Sequence, residues 1–162
     1  MKKYFFVLLV FAVIISACGN KKNNKAPETS SSDPNVITVR ENMFITQIND
    51  INLNYKTYLG KTVKIEGMFK EFTWDGKTMY YVYRMTPGCC GDDGIIGFEM
   101  SWEEDYQGFS ANPDADIFPD ANEWIEVQGE IKSYEKFDYP FLYLAIAELN
   151  VLDERGAEFV SR

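Results

Sequence analysis

Two cysteines stand side by side in the segment Thr86-Pro87-Gly88-Cys89-Cys90-Gly91-Asp92-Asp93-Gly94, and two adjacent carboxylates follow them. Thiolates bind soft and borderline metals, and carboxylate oxygens can complete the shell. The spacing therefore offers a divalent metal such as zinc a site made of Cys89, Cys90, Asp92 and Asp93. Structural zinc sites ordinarily use four strong protein ligands, and the chain has no histidine, so this site would be open or shared with a partner. The same pair has two other readings. A disulfide between neighbours closes a small strained ring that is easily reduced, which suits a thiol redox protein or metal carrier in which Cys89 and Cys90 cycle. Two reduced thiols packed against a solvated turn would do neither. Calcium is a weaker match, because Asp92, Asp93, Asp114, Asp116 and Asp120 do not fall at EF-hand spacing.

The elements that must hold this segment follow from length and composition. The 162 residues are 46% hydrophobic and 15% aromatic, enough apolar surface for one folded domain and too much for a disordered chain. Twenty-five acids against sixteen bases leave a formal net charge of −9, which argues against a nucleic-acid partner, whose affinity comes from Lys and Arg contacts to phosphates. The missing histidine removes Ser-His-Asp and Cys-His mechanisms and every His-bearing metal centre. Glu99, Glu103 and Glu104 hold carboxylates that glycoside chemistry would need in pairs across a cleft, a separation that sequence does not supply. The chain reads as a binding protein more than as an enzyme.

At the start, Lys2 and Lys3 precede an apolar run from Tyr4 to Ile15, followed by Ser16-Ala17-Cys18-Gly19. About 14 residues of helix rise roughly 21 Å, short of the ~30 Å hydrocarbon core, so this is a signal peptide before it is a membrane span. Ile15-Ser16-Ala17-Cys18 resembles the lipobox of bacterial lipoproteins. The resemblance implies cleavage after residue 17, a diacylglycerol anchor on Cys18, and an extracytoplasmic location on a bacterial membrane. Residues 18–35 are polar, with Lys21, Lys22, Lys25, Pro27 and Pro34 and no apolar periodicity, and read as a flexible tether.

Residues 36–162 form the expected domain. Val36-Ile37-Thr38-Val39 is β-branched, and Met43, Phe44, Ile48 and Ile51 recur at helical spacing, which predicts a short N-terminal helix. A helical turn over Tyr55–Gly60 ends at a glycine able to take a left-handed cap. Strands are predicted over Thr62–Phe69, Thr78–Met85, Gly94–Met100, Glu123–Tyr134 and Phe141–Leu152, with Asp75-Gly76 as the first hairpin turn. Gly67 and Gly129 each fall inside an alternating strand, where glycine permits the bend of a strand shared by both sides of a small barrel. The pattern resembles the OB-fold: mainly β, a five-stranded OB-fold-like barrel with a short N-terminal helix and room for a short helix between strands three and four, within Ser101–Asn122. Tyr80, Tyr81, Tyr83 and Tyr143 are the candidates for stacking a ligand on such a barrel.

A narrower resemblance rests on Tyr83-Arg84-Met85-Thr86, the paired cysteines with the acids after them, Ile96-Gly97-Phe98-Glu99-Met100, and Trp124-Ile125-Glu126-Val127-Gln128-Gly129. These are similar to the C-terminal soluble domain of the YcgQ-type, permease-associated membrane protein, over about Gly60 to Leu152. This chain differs in carrying Pro87-Gly88 before the cysteines and a lipobox in place of membrane helices. The resemblance implies a shared extracytoplasmic β-domain and, as partner, a membrane permease or envelope protein, with a structural subunit of such a complex as a further reading.

Overall fold

A computed structural model describes residues 35–89, 91–110 and 118–161. Val36–Thr38 is β1, Phe44–Leu53 is α1, and five long strands follow: β2 Thr62–Trp74, β3 Lys77–Gly88, β4 Gly91–Ser101, β5 Trp124–Lys136 and β6 Tyr139–Val151. The hydrogen-bonded order is β1-β2-β3-β4-β6-β5, and β5 returns to pair with β2, so β2 to β6 close into a five-stranded barrel. The β4–β6 contact is parallel and short, from Glu99↔Tyr143 to Ser101↔Ala145, while the other barrel pairs are antiparallel. This is the OB-like barrel anticipated from the alternating strands, with β1 added in parallel to the edge of β2.

Strand β2 shows how the alternation builds the barrel. Val63, Ile65 and Phe69 point inward and are at most 2% exposed, whereas Lys64 points outward and pairs with Glu126 of β5 at 2.7 Å. Its first half, from Thr62 to Met68, pairs with β5, and its second, from Met68 to Trp74, pairs with β3. Gly67 lies where the partner changes; a Cβ there would sit 2.6 Å from the Tyr83 carbonyl oxygen. Gly129 plays the same part on β5, at a register shift against β6, with the Ala145 carbonyl oxygen 2.6 Å from where its Cβ would be.

The inward faces of all five strands join one core, and α1 closes it with Phe44, Ile48 and Ile51, a helical i, i+4, i+7 stripe. Each fully buried Ile or Phe of this set contributes about 1.5–3 kcal/mol of transfer free energy. Gln47 fixes the entry to α1, accepting from the Arg40 N–H at 2.8 Å and donating to the Thr38 carbonyl at 3.2 Å. At its exit, Asp50 accepts from the Asn54 side chain at 2.7 Å and from the Tyr58 hydroxyl. The turn after it ends at Gly60, whose φ of 80° is the left-handed conformation expected there. Between β4 and β5, residues 101–110 and 118–122 carry turns and one bridge, Thr78↔Ser110, and no helix. The room left for a helix is used among these residues for irregular chain packed on the barrel.

Candidate functional site

Cys89 lies at the tip of the β3–β4 hairpin. Gly88 pairs with Gly91, so only positions 89 and 90 separate the last pair of the ladder. Both strands run further than their predicted ends at Met85 and Gly94. Pro87, which lacks an N–H, is accommodated at the register shift between Thr86 and Gly88. Cys89 is exposed. Cys18, Cys90, Asp114 and Asp116 lie outside the described residues, as do the side chains of Asp92 and Asp93. Among the described residues no group of three or more acidic or thiol ligands converges on a metal position.

The base of this hairpin is clamped. The Met85 N–H donates to the Glu158 carbonyl and the Val160 N–H donates to the Met85 carbonyl, both at 2.8 Å, so the C-terminal segment flanks β3 opposite β4. One residue earlier, Arg84 is 2% exposed. Its Nε donates to the Glu66 carbonyl at 3.0 Å, and its Nη1 donates to the Ala157 carbonyl at 3.1 Å and to Glu41 at 3.2 Å. The guanidinium faces the Phe44 ring at 4.5 Å and the Trp124 ring at 4.8 Å. A buried charge is tolerated only when its donors are used, and this one is matched by two carbonyls, a carboxylate and two ring faces. Glu41 is held below the usual carboxylate range by the Ala157 N–H and then by Arg84. The sequence marked Arg84 only as part of a resemblance; its partners at 41, 66 and 157 are too distant along the chain for any local pattern to show.

Of the four tyrosines considered for stacking, Tyr80, Tyr83 and Tyr143 are 1%, 8% and 3% exposed. Tyr80 points into the barrel, stacked on Phe118 at 4.1 Å and Phe69 at 5.9 Å. Tyr83 packs with Met68 and Trp124 and donates to Asn122 at 3.0 Å. Tyr81 alone of the four is half-buried on the outer surface. It lines a shallow cleft of about 250 Å³ with Lys70, Phe72 and Ile95. Burial and the nearby Glu99 charge push its phenol up to about 12.

Glu99 faces outward on β4 beneath the segment that follows that strand. It is 6% exposed, and its two oxygens accept from Tyr106 and, at 2.9 Å, from Tyr134. Burial raises its pKa, against the lowering effect of the two phenols. A carboxylate closed under Tyr106, Tyr134 and Tyr143 is a packing anchor, so Glu99 does not face Glu103 or Glu104 across an open cleft.

Residues 15–160 match the family model described as the DUF1980 C-terminal domain. The chain belongs to that family. No curated protein matches it. The match to the DUF1980 C-terminal domain spans every described element from β1 to β6, including the cysteine hairpin and the C-terminal segment that clamps it. Among the described residues no helix is long and apolar enough to cross a membrane.

Proposed function

We propose that the protein is a membrane-anchored extracytoplasmic lipoprotein whose barrel is a binding module, taking a divalent metal such as zinc at the Cys89–Cys90 hairpin. The observation that carries this reading is the register of β3 and β4. Gly88 opposite Gly91 leaves the two positions of the adjacent thiols alone at the tip of a hairpin, where Cys89 is exposed. Glycines on both sides leave the backbone free to turn two thiolates toward one ion, and Asp92 and Asp93 follow directly as oxygen donors. The clamp at Met85 and Arg84 makes the base of the hairpin rigid while its tip stays accessible.

A site with so few protein ligands keeps positions for water or for a partner's ligands, which suits delivery or exchange of a metal more than permanent structure. The lipobox supports anchoring through diacylglycerol on Cys18, with residues 18–35 as tether. The YcgQ-type resemblance supports a membrane permease or envelope protein as the partner. The test is native mass spectrometry of the full chain, extracted in detergent without chelator. A bound metal, lost in the Cys89→Ser, Cys90→Ser variant, supports the reading. A metal-free mass two hydrogens light replaces it with a neighbour disulfide and a thiol redox role. Two reduced thiols without metal overturn both and leave the Tyr81 cleft as the binding surface.

A further inference from the structure

A cleft of about 360 Å³ lies on the outward face of β5 and β6, on strands other than those of the thiol hairpin. Its floor comes from the strand pairing. Lys132 stands opposite Tyr143 and Glu130 opposite Ala145, and paired residues of adjacent strands point to the same side. One wall is the turn at Leu59 and Gly60. The Gly60 N–H donates to the Ile131 carbonyl and the Ile131 N–H to the Lys61 carbonyl, both at 2.9 Å, which ties this turn to β5. Glu130 Oε1 consequently lies 3.9 Å from where a Cβ on Gly60 would be. The other wall carries Glu104 and Asp105. Tyr106 holds that wall in place, with its hydroxyl donating to Glu99 and its ring 5.0 Å from the ring of Tyr143.

Three carboxylates against the one ammonium of Lys132 leave the cleft a net charge of −2, and no ion pair among the described residues uses Glu104, Asp105 or Glu130. A cleft lined mainly by one sign of charge draws in the opposite one. Tyr143 adds a polar group at the floor. It is 3% exposed and lines the cleft, and its hydroxyl has no hydrogen-bond partner among the described residues, whereas Tyr106 and Tyr134 beside it both donate to Glu99. Burial, and then the charges of Asp105 and Glu130, raise its phenol, so it stays protonated with a lone pair to offer. The described acids form no group of three that could hold a metal ion, so the charge to be matched is spread along the cleft. Its complement is an extended organic cation with protonated nitrogens joined by apolar links. Leu59, 41% exposed at the rim, gives such a link an apolar contact.

We propose that this cleft binds an extended organic cation with at least two protonated nitrogens, held by Glu104, Asp105 and Glu130, with the Tyr143 hydroxyl accepting one N–H. Lys132 on the floor opposes the ligand and limits its affinity. The site uses neither cysteine and stands whether or not metal binds at the hairpin. Two sources share this chemistry, a free polyamine and a lysine-rich peptide segment.

The experiment follows the backbone amide signals of Gly60, Gln107 and Lys132 by NMR in the full chain in detergent micelles, at constant ionic strength. Spermidine, the tripeptide acetyl-lysyl-glycyl-lysine amide and n-butylammonium are the three probes. Saturable shifts at these amides with spermidine or the tripeptide, about fivefold or more tighter than with n-butylammonium, support the site, and the tighter of the two identifies the source. Glu130→Gln, an exposed position, weakens binding about threefold to fivefold, the worth of one solvent-open ion pair, and Lys132→Gln tightens it by a similar factor. Tyr143→Phe keeps the ring packing and weakens binding as well. Glu154→Gln, at an exposed acid outside the cleft, leaves the affinity unchanged. No saturable shift with either polycation, equal binding of n-butylammonium, undiminished binding by Glu130→Gln, or an equal loss in Glu154→Gln overturns the proposal.

Discussion

Arg84 on β3 reaches Glu41, 43 positions earlier in the chain, with 3.2 Å between Nη1 and Oε2, and the same guanidinium donates to the Ala157 carbonyl. One side chain thereby joins the segment before α1, the barrel wall and the C-terminal segment. Arg84→Ala strands the Glu66 and Ala157 carbonyls and empties the space between Phe44 and Trp124, for a loss of about 3 kcal/mol in urea denaturation. Arg84→Lys recovers less than half of that, since an ammonium has neither the planar fork nor the stacking surface of the guanidinium.

Glu41 and Glu99 respond to pH in opposite senses. Glu41 is lowered in the folded state by the Ala157 N–H and then Arg84, so its contribution is present above its ordinary value of 4.5 and is lost as pH falls through the lowered one. Glu99 is raised by burial, so the folded state binds its proton more tightly than the unfolded chain does. Its contribution is full below 4.5 and is lost as pH rises through the raised value. Glu99→Gln removes the second dependence. A thermal stability profile from pH 4.5 upward falls more steeply for the native protein than for this variant.

Tyr106 is the donor that holds the chain after β4 down on Glu99. Tyr106→Phe keeps the ring packing against Tyr134 and Tyr143 and deletes that one bond to a carboxylate, for a loss of about 1.5–3 kcal/mol. Amide exchange quickens locally over residues 102–110, and the barrel strands keep their protection.

Glycine substitutions separate close approach from backbone conformation. At Gly97 a Cβ would lie 2.0 Å from the Val82 carbonyl oxygen, in the middle of the β3–β4 ladder. Gly97→Ala forces the two strands apart and costs about 3 kcal/mol or more. At Gly76 a Cβ meets nothing within 4 Å, and only the φ of 69° opposes it. Gly76→Ala costs about 1 kcal/mol. Melting temperatures of the two variants check the order.

The parts of the fold that were legible in sequence are those set by local periodicity. Thr62 to Glu66 alternates because Val63 and Ile65 meet the core while Lys64 and Glu66 reach toward water, and Gly67 and Gly129 stand out as glycines inside alternating strands. The hairpin of Cys89 was visible as a composition, but Pro87 and three glycines suggested an early end to the strands. Pairing across the hairpin carries β3 on to Gly88 instead. Period-two alternation shows that Tyr80 and Tyr81 face opposite ways without showing which one faces the core; the packing of Tyr80 on Phe69 and Phe118 decides it. Arg84 and the segment from Ala157 to Val160 gave no local signal, because a buried ion network and a docked terminal segment are properties of contacts between distant residues.

Cobalt(II) substitution probes the metal binding proposed for Cys89 and Cys90. Thiolate ligands give cobalt(II) an ultraviolet charge-transfer absorption that oxygen ligands do not. The full chain, reduced and titrated with cobalt(II), is expected to develop that band to a stoichiometric end point, to lose it on addition of zinc, and to lack it in the Cys89→Ser, Cys90→Ser variant. A native protein with reduced thiols and no charge-transfer band at saturating cobalt(II) would rule out metal binding by Cys89 and Cys90.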